Sequence, residues 1–360
     1  MGGLSVLALA GGAGTLLGAC TTAKSGGEVL ATDPEIATLV DSLVGIDMHS
    51  HAAGASGRLR PTYDLADRIR TGRMTAVCLC HPADLPAIRR EPDNRIRTVR
   101  QPEPGELWRF TQRRLAWFDE LVTGQGFRRA LRRGDLEAAH RDKAPTIVQA
   151  IEGCHFLEGR LQRIGEVHRR GVRHLQMVHF FRSDMGDNQT EPADQGGLTA
   201  FGRDAIAECN RVGMVIDVAH ATMKLVEGAA KATRTPLILS HTAVAQEQPA
   251  EFSRRVSPEH ARLVANTGGV VGVWGSPFTM KSLSDYVDTI TRTVEVVGAE
   301  HVGLGTDNSG FGPMPSVWDD YRDFPLVVLL MRKRGLSADE ISSIAGGNYL
   351  RVFNLSVKPA

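Results

Sequence analysis

Two histidines in the spacing H-x-H, His49 and His51, end an apolar run that begins at Leu43. The pattern recurs down the chain: Glu152, His179, His220, His241 and Asp307 each close a short run rich in Val, Ile and Leu. A buried strand has no use for an ionisable tip, so the set implies that the fold gathers these residues in one place. The convergent group is His49, His51, His220 and His241 with Glu152 and Asp307, and His179 beside it. Imidazole nitrogens and carboxylate oxygens suit zinc or a similar divalent ion, with no need of cysteine. Four imidazoles are too many for one catalytic zinc, which keeps three protein ligands and an open position. A carboxylate can bridge two ions, and two ions can hold a hydroxide between them and clamp the oxygens of a tetrahedral transition state. The residue types point to metal-assisted hydrolysis. The chain has no G-x-S-x-G nucleophile elbow and no glycine-rich dinucleotide fingerprint.

The elements that must position these residues are eight apolar runs: 43–49, 74–80, 146–153, 172–179, 214–220, 236–241, 269–275 and 301–307. Near-continuous apolar runs of this length suit strands buried on both faces of a parallel sheet. Helical patterns alternate with them. Residues 198–213 open at an N-cap Thr199 and stop at Gly213, and Ser337 with Glu340 forms a capping box before a helix that Gly346 and Gly347 close. Eight such units predict an α/β fold, a (β/α)8 TIM-like barrel, whose site lies at the C-terminal ends of the strands.

The chain has 360 residues, 42% hydrophobic and 23% charged, enough for a large core in one barrel. A net charge of +1 gives no support for a nucleic-acid partner. Residues 89–133 carry twelve Arg against six acidic residues around Trp108, Phe110, Trp117 and Phe118. They predict two amphipathic helices with solvated basic faces, the alternative being a phosphate-binding or membrane-facing surface. Residues 4–19 are apolar and small, and LGAC (17–20) resembles the lipobox of bacterial lipoproteins, in which the cysteine, here Cys20, is lipidated. No Lys or Arg precedes that run, although a signal peptide ordinarily carries one. The expected layout is a leader over 1–20, a flexible tether over 21–33 and a barrel over 34–356 with a helical insertion at about 81–145. The five cysteines fit no disulfide scaffold; Cys78 and Cys80 fall on one face of a strand as buried thiols.

Several motifs together resemble the membrane (renal) dipeptidases: IEG around Glu152, IDVAH (216–220), LSHTA (239–243), SRR (253–255), HVGLGTD (301–307) and AGGNYLRVF (345–353). The resemblance runs in order from about residue 43 to 355. It implies a (β/α)8 zinc hydrolase with two Zn2+ per chain, acting on dipeptides through a metal-bridged hydroxide. It further implies that His49 and His51 hold the first ion, that Glu152 bridges both, and that His220 and His241 hold the second. Asp307 would move protons, His179 would polarise the scissile carbonyl and bind substrate, and Arg255 would grip the terminal carboxylate, with the adjacent Arg254 as the other candidate. Asp187 and Asn188 match a family pair expected to order the loop after His179.

Two departures stand out. The family usually has H-x-D where this chain has His51, which removes one negative charge from the first metal. Cys154 replaces the glycine that commonly follows EG. Asp47 is expected outside the metal shell, and His155, His168, His174, His260 and His301 as core or surface residues. The resulting expectation is an exported zinc dipeptidase, periplasmic or anchored to the membrane only through its N-terminal lipid. Its partner is a small peptide with a free carboxylate and a D-residue at the second position, and residues 81–145 would form a lid or a homodimer surface. Two alternatives remain: another amidohydrolase-type enzyme (amidase, lactonase or deacetylase) on the same site, and a non-catalytic lipid-anchored binding protein.

Overall fold

The computed structural model describes residues 25–54, 63–247, 249 and 253–359. Eight parallel strands form a closed barrel: β1 (Ile46–Ser50), β2 (Ala76–Pro82), β3 (Thr146–Glu152), β4 (Val172–Gln176), β5 (Val215–Asp217), β6 (Leu237–Thr242), β7 (Val270–Val273) and β8 (Val302–Leu304). Each strand pairs with its neighbours in sequence, and β1 pairs with β8 through Asp47 and Leu304. The fold is the (β/α)8 barrel that the apolar runs predict. Every residue of β2 and β3 is buried, because the lumen covers one face and helices cover the other. Inside, Met48, Cys78, Val148 and Ile238 pack against Tyr349 and Phe353 of the helix Asn348–Ser356.

Two irregularities position the site. β1 gains one residue against β2 between Asp47 and Ser50, and β6 gains one against β7 before Thr242. A bulge of this kind re-aims the side chains that follow it. Here the two bulges bring His49 and His241 to the barrel mouth, on either side of Ser240.

Thr199 caps the helix Ala200–Val212 and Gly213 ends it, and Ser337 with Glu340 forms the capping box. The helix that Ser337 opens runs through a π-type turn, Ser343–Gly347, and is broken at Gly346, whose backbone is not helical, before Asn348–Ser356 begins. Residues 89–133 do not form two helices: Ile88–Arg90 and Ile96–Thr98 pair as an antiparallel hairpin, and Glu106–Gly124 is the helix. Turn residues explain the hairpin, since Pro92, Asp93 and Asn94 turn the chain, with Asn94 at φ 64°. The tether does not extend to residue 33, because Gly26–Thr32 is helical, capped by Ser25 and anchored by the fully buried Val29. The leader over 1–20, including Cys20, lies outside the described residues. No helix among the described residues is long and apolar enough to cross a membrane.

Gly346 is fixed by a close approach. A Cβ there would lie 2.0 Å from the Val44 carbonyl and 2.9 Å from the Ile46 amide, at the entrance to β1. Gly346→Ala should therefore cost about 1–3 kcal/mol of stability, as overpacking does, read as a lower urea midpoint. An unchanged midpoint would show that β1 is not held against this turn.

Candidate metal centre

Glu152 ends β3 and is 1% exposed, with five imidazoles around its carboxylate. Oε1 lies 3.2 Å from Nε2 of His220, 3.3 Å from His179, and 3.6 Å from both His49 and His241. Oε2 lies 3.3 Å from Nε2 of His51. The Nε2 atoms of His49 and His51 face each other at 3.1 Å, as do those of His220 and His241. Asp307 reaches the same place, its Oδ1 3.3 Å from His51 Nε2 and 4.0 Å from His49 Nε2. The tips of β1, β3, β5, β6 and β8, with His179 after β4, thus meet at one point.

The outer ring nitrogens decide what the inner ones present. His51 Nδ1 lies 3.1 Å from the Cys80 carbonyl, which only accepts, so neutral His51 turns a bare Nε2 lone pair inward. Ser240 Oγ stands between His49 Nδ1, at 3.2 Å, and His241 Nδ1, at 2.9 Å. Inner lone pairs that face one another and a carboxylate repel unless positive charge lies among them. The electrostatics agree. Burial opposes charge on Glu152, yet the imidazoles around it, His179 and His49 foremost, hold its carboxyl well below the usual range. Burial drives His49 and His220 well below the usual imidazole range and His241 down to about 4. Burial also opposes charge on His51, but Asp307 and Glu152 push it up to about 10. The carboxylates therefore call for a cation here. Three overlapping triads, His49–His51–Asp307, His49–Glu152–His241 and Glu152–His179–His220, keep their ligand atoms within 4.8 Å of one another. This nitrogen and oxygen donor set fits a borderline divalent ion such as zinc.

His179 has a different outer partner. Its Nδ1 lies 2.6 Å from Oδ1 of the fully buried Asp84, whose Oδ2 accepts the amides of Phe180 at 3.1 Å and Phe181 at 2.8 Å. Burial works against charge on both groups, but each raises the other's charged form, so His179 is shifted up and Asp84 down. Asp84 was not legible as a site residue; its one signal is a place two residues beyond β2, on the face where the other tips meet. Asp217 was missed too: it accepts the amides of Ala219 and Ser240 and holds His174 at 3.0 Å. Asp187 accepts from the amides of Gln195 and Gly197, and Asn188 from those of Thr190 and Glu191, which orders the loop after His179. Asp47 stays outside the shell and latches β1 to the chain after β8, accepting from Thr306 and Tyr321.

His220 and Asp307 sit at φ 67° and 50°, a left-handed conformation that costs about 1–2 kcal/mol for residues other than glycine. Hydrogen bonds on either side enforce it: Gln189 N donates to His220 O, Asp307 N to His49 O, and Gly310 N to Asp307 O. A Cβ at Gly310 would lie 1.9 Å from Asp307 Oδ1, so a larger residue there would displace that carboxylate.

A cavity of about 570 Å³ opens over the centre, walled by Phe180, Trp274 and Phe311 and roofed by the hairpin 88–98. Arg254 enters it, and Arg255 does not. Arg254 Nη2 donates to His241 Nε2 at 3.2 Å, Nη1 to Gln189 Oε1, and its guanidinium lies 5.6 Å from the Trp274 ring centre. Arg255 is exposed and lines a separate surface pocket with Glu247 and Arg292, which corrects the choice of Arg255. The chain pairs through Val244 and Val256, and extended backbone alternates its side chains, so Arg254 and Val256 turn inward and Arg255 outward. Cys154 is buried and donates its thiol to the Gln176 carbonyl at 3.4 Å, outside the imidazole shell.

The sequence pattern of the membrane dipeptidases, peptidase family M19, matches residues 107–358. Dipeptidase aclJ of Aspergillus oryzae is 30% identical over 210 residues, 56% of this chain and 49% of that protein. Dipeptidase 3 of Rattus norvegicus is 29% identical over 213 residues, 56% of this chain and 43% of that protein. The chain spans about half the length of these curated relatives. An amidohydrolase from Pseudomonas aeruginosa shares the fold with TM-score 0.73 at 20% identity, over 89% of this chain and 99% of its own. A metallopeptidase from Rhodobacter sphaeroides does so with TM-score 0.71 at 18% identity, over 87% and 99%. Glu152, His179, His220, His241 and Asp307 fall inside the matched span while His49 and His51 precede it, and on this match the chain belongs to the membrane dipeptidase family.

Proposed function

We propose that this chain is a metal-dependent dipeptidase acting on short peptides with a free C-terminal carboxylate. The observation that carries the reading is a buried carboxylate ringed by five imidazoles, with an arginine on the wall of the cavity above it. The dipeptidases among its relatives support it, as does the Rhodobacter peptidase, which binds a phosphinate mimic of L-Ala-D-Ala.

His49, His51 and Glu152 would hold one divalent ion, and Glu152, His220 and His241 the other. Bound there, such ions lower the pKa of a coordinated water toward neutrality and polarise the peptide carbonyl. Asp307 takes the proton from the attacking water and returns it to the leaving amine nitrogen as the C–N bond breaks. His179, whose charged form Asp84 favours, donates from Nε2 to the carbonyl oxygen as that oxygen becomes negative. Arg254 offers its planar fork to the terminal carboxylate. His51 in place of the family's usual aspartate leaves one negative charge fewer to retain an ion, and more positive charge to act on the carbonyl.

Zinc-loaded protein should hydrolyse L-Ala-D-Ala in a chelator-sensitive reaction. Arg254→Ala should raise KM by about 10- to 100-fold, the worth of a charge-assisted hydrogen bond, while Arg255→Ala leaves KM unchanged. The reverse pattern would return the carboxylate to Arg255. Asp84→Asn keeps the shape but removes the charge behind His179, so kcat should fall by about 10- to 100-fold with metal content intact. An unaltered kcat would rule out a charged His179 as the carbonyl's partner.

A further inference from the structure

The arginine-rich stretch contains one residue that the proposed reaction leaves unused. Four of its arginines are neutralised close by: Arg97 by Asp93, Arg100 by Glu106, Arg128 by Asp142 and Arg129 by Asp119. Arg90 is not. It ends the first strand of the hairpin and lines the cavity over the centre, half-buried. Its hydrogen-bond partners are two carbonyls, Asn94 O at 2.8 Å and Gly310 O at 3.4 Å. No carboxylate forms an ion pair with it among the described residues, although it lies close enough to Asp307 to feel that charge. Glu191 lines the same cavity but is engaged by the Thr98 hydroxyl at 2.8 Å. That bond and the Val99 amide on the Ala87 carbonyl fix the base of the hairpin.

Position gives this guanidinium a use. The hairpin follows β2 and Arg254 follows β6, four strands on and therefore across the barrel. A substrate with its terminal carboxylate on Arg254 and its peptide carbonyl over Glu152 directs its N-terminal residue toward Arg90. Gly310, whose carbonyl holds Arg90, packs directly on Asp307, so the guanidinium borders the reacting end of the cavity. A half-buried cation with only carbonyl partners has unused donors for an anion. Arg95, exposed at the same mouth, adds charge of the same sign. We propose that Arg90 is a specificity-determining residue that selects substrates whose N-terminal residue carries a side-chain carboxylate, Asp or Glu.

This assignment rests on the dipeptidase reading, and one comparison separates the two. Zinc-loaded full-length protein is assayed on L-Asp-D-Ala and L-Asn-D-Ala, which differ in one charge at nearly constant shape. The expected kcat/KM ratio is about 10- to 100-fold in favour of the acidic peptide, the range of one charge-assisted hydrogen bond. In Arg90→Gln that ratio should collapse toward one, with the rate on L-Asn-D-Ala retained. Equal rates in the parent protein, or a preference that survives Arg90→Gln, would overturn the assignment and leave the dipeptidase reading intact. Cleavage of neither these peptides nor L-Ala-D-Ala would overturn both.

Discussion

A single buried carboxylate organises this molecule. Moving a charged group out of water costs several kcal/mol unless the surroundings replace its hydration. Around Glu152 that replacement comes from five imidazoles drawn from three different strand ends and one loop. No local stretch of chain supplies such a set. A closed parallel barrel does, because every strand ends on the same face.

Four of the five imidazoles are also held from behind. The Cys80 carbonyl, the Ser240 hydroxyl and the Asp84 carboxylate fix the outer nitrogens of His51, of His49 with His241, and of His179. These partners divide the shell by charge. The Ser240 hydroxyl and the Cys80 carbonyl carry no charge, whereas the Asp84 carboxylate favours the charged form of His179. In the proposed reaction one donor type serves two purposes: rings that would hold ions, and a ring backed by a carboxylate that would meet the developing oxyanion. The left-handed conformations at His220 and Asp307 belong to the same design, since local strain accumulates where side chains are aimed against the preference of the backbone.

Much of this was legible in the sequence, for a definite reason. Strands buried on both faces read as continuous apolar runs, so a histidine or carboxylate at six of the eight tips stands out, and all eight runs became barrel strands. The gaps are also physical. The bulges in β1 and β6 depend on register against neighbouring strands, which no single run encodes. Asp84 and Ser240 act through partners far away in sequence. Arg254 and Arg255 were indistinguishable until the Val244–Val256 pairing set the alternation. The hairpin 88–98 carries the same arginine density as a basic helix, and its Pro-Asp-Asn turn was the overlooked signal. Gly346 reads as a helix stop and is one, while its close approach to the Val44 carbonyl depends on tertiary packing that the local sequence does not encode.

The central claim is that Glu152 is shared between two metal ions. Anomalous diffraction at the zinc edge from crystals of the zinc-loaded chain tests it most directly. The account predicts two peaks flanking the Glu152 carboxylate, one toward His49 and His51 and the other toward His220 and His241. A single peak, or ions bound away from Glu152, would contradict it.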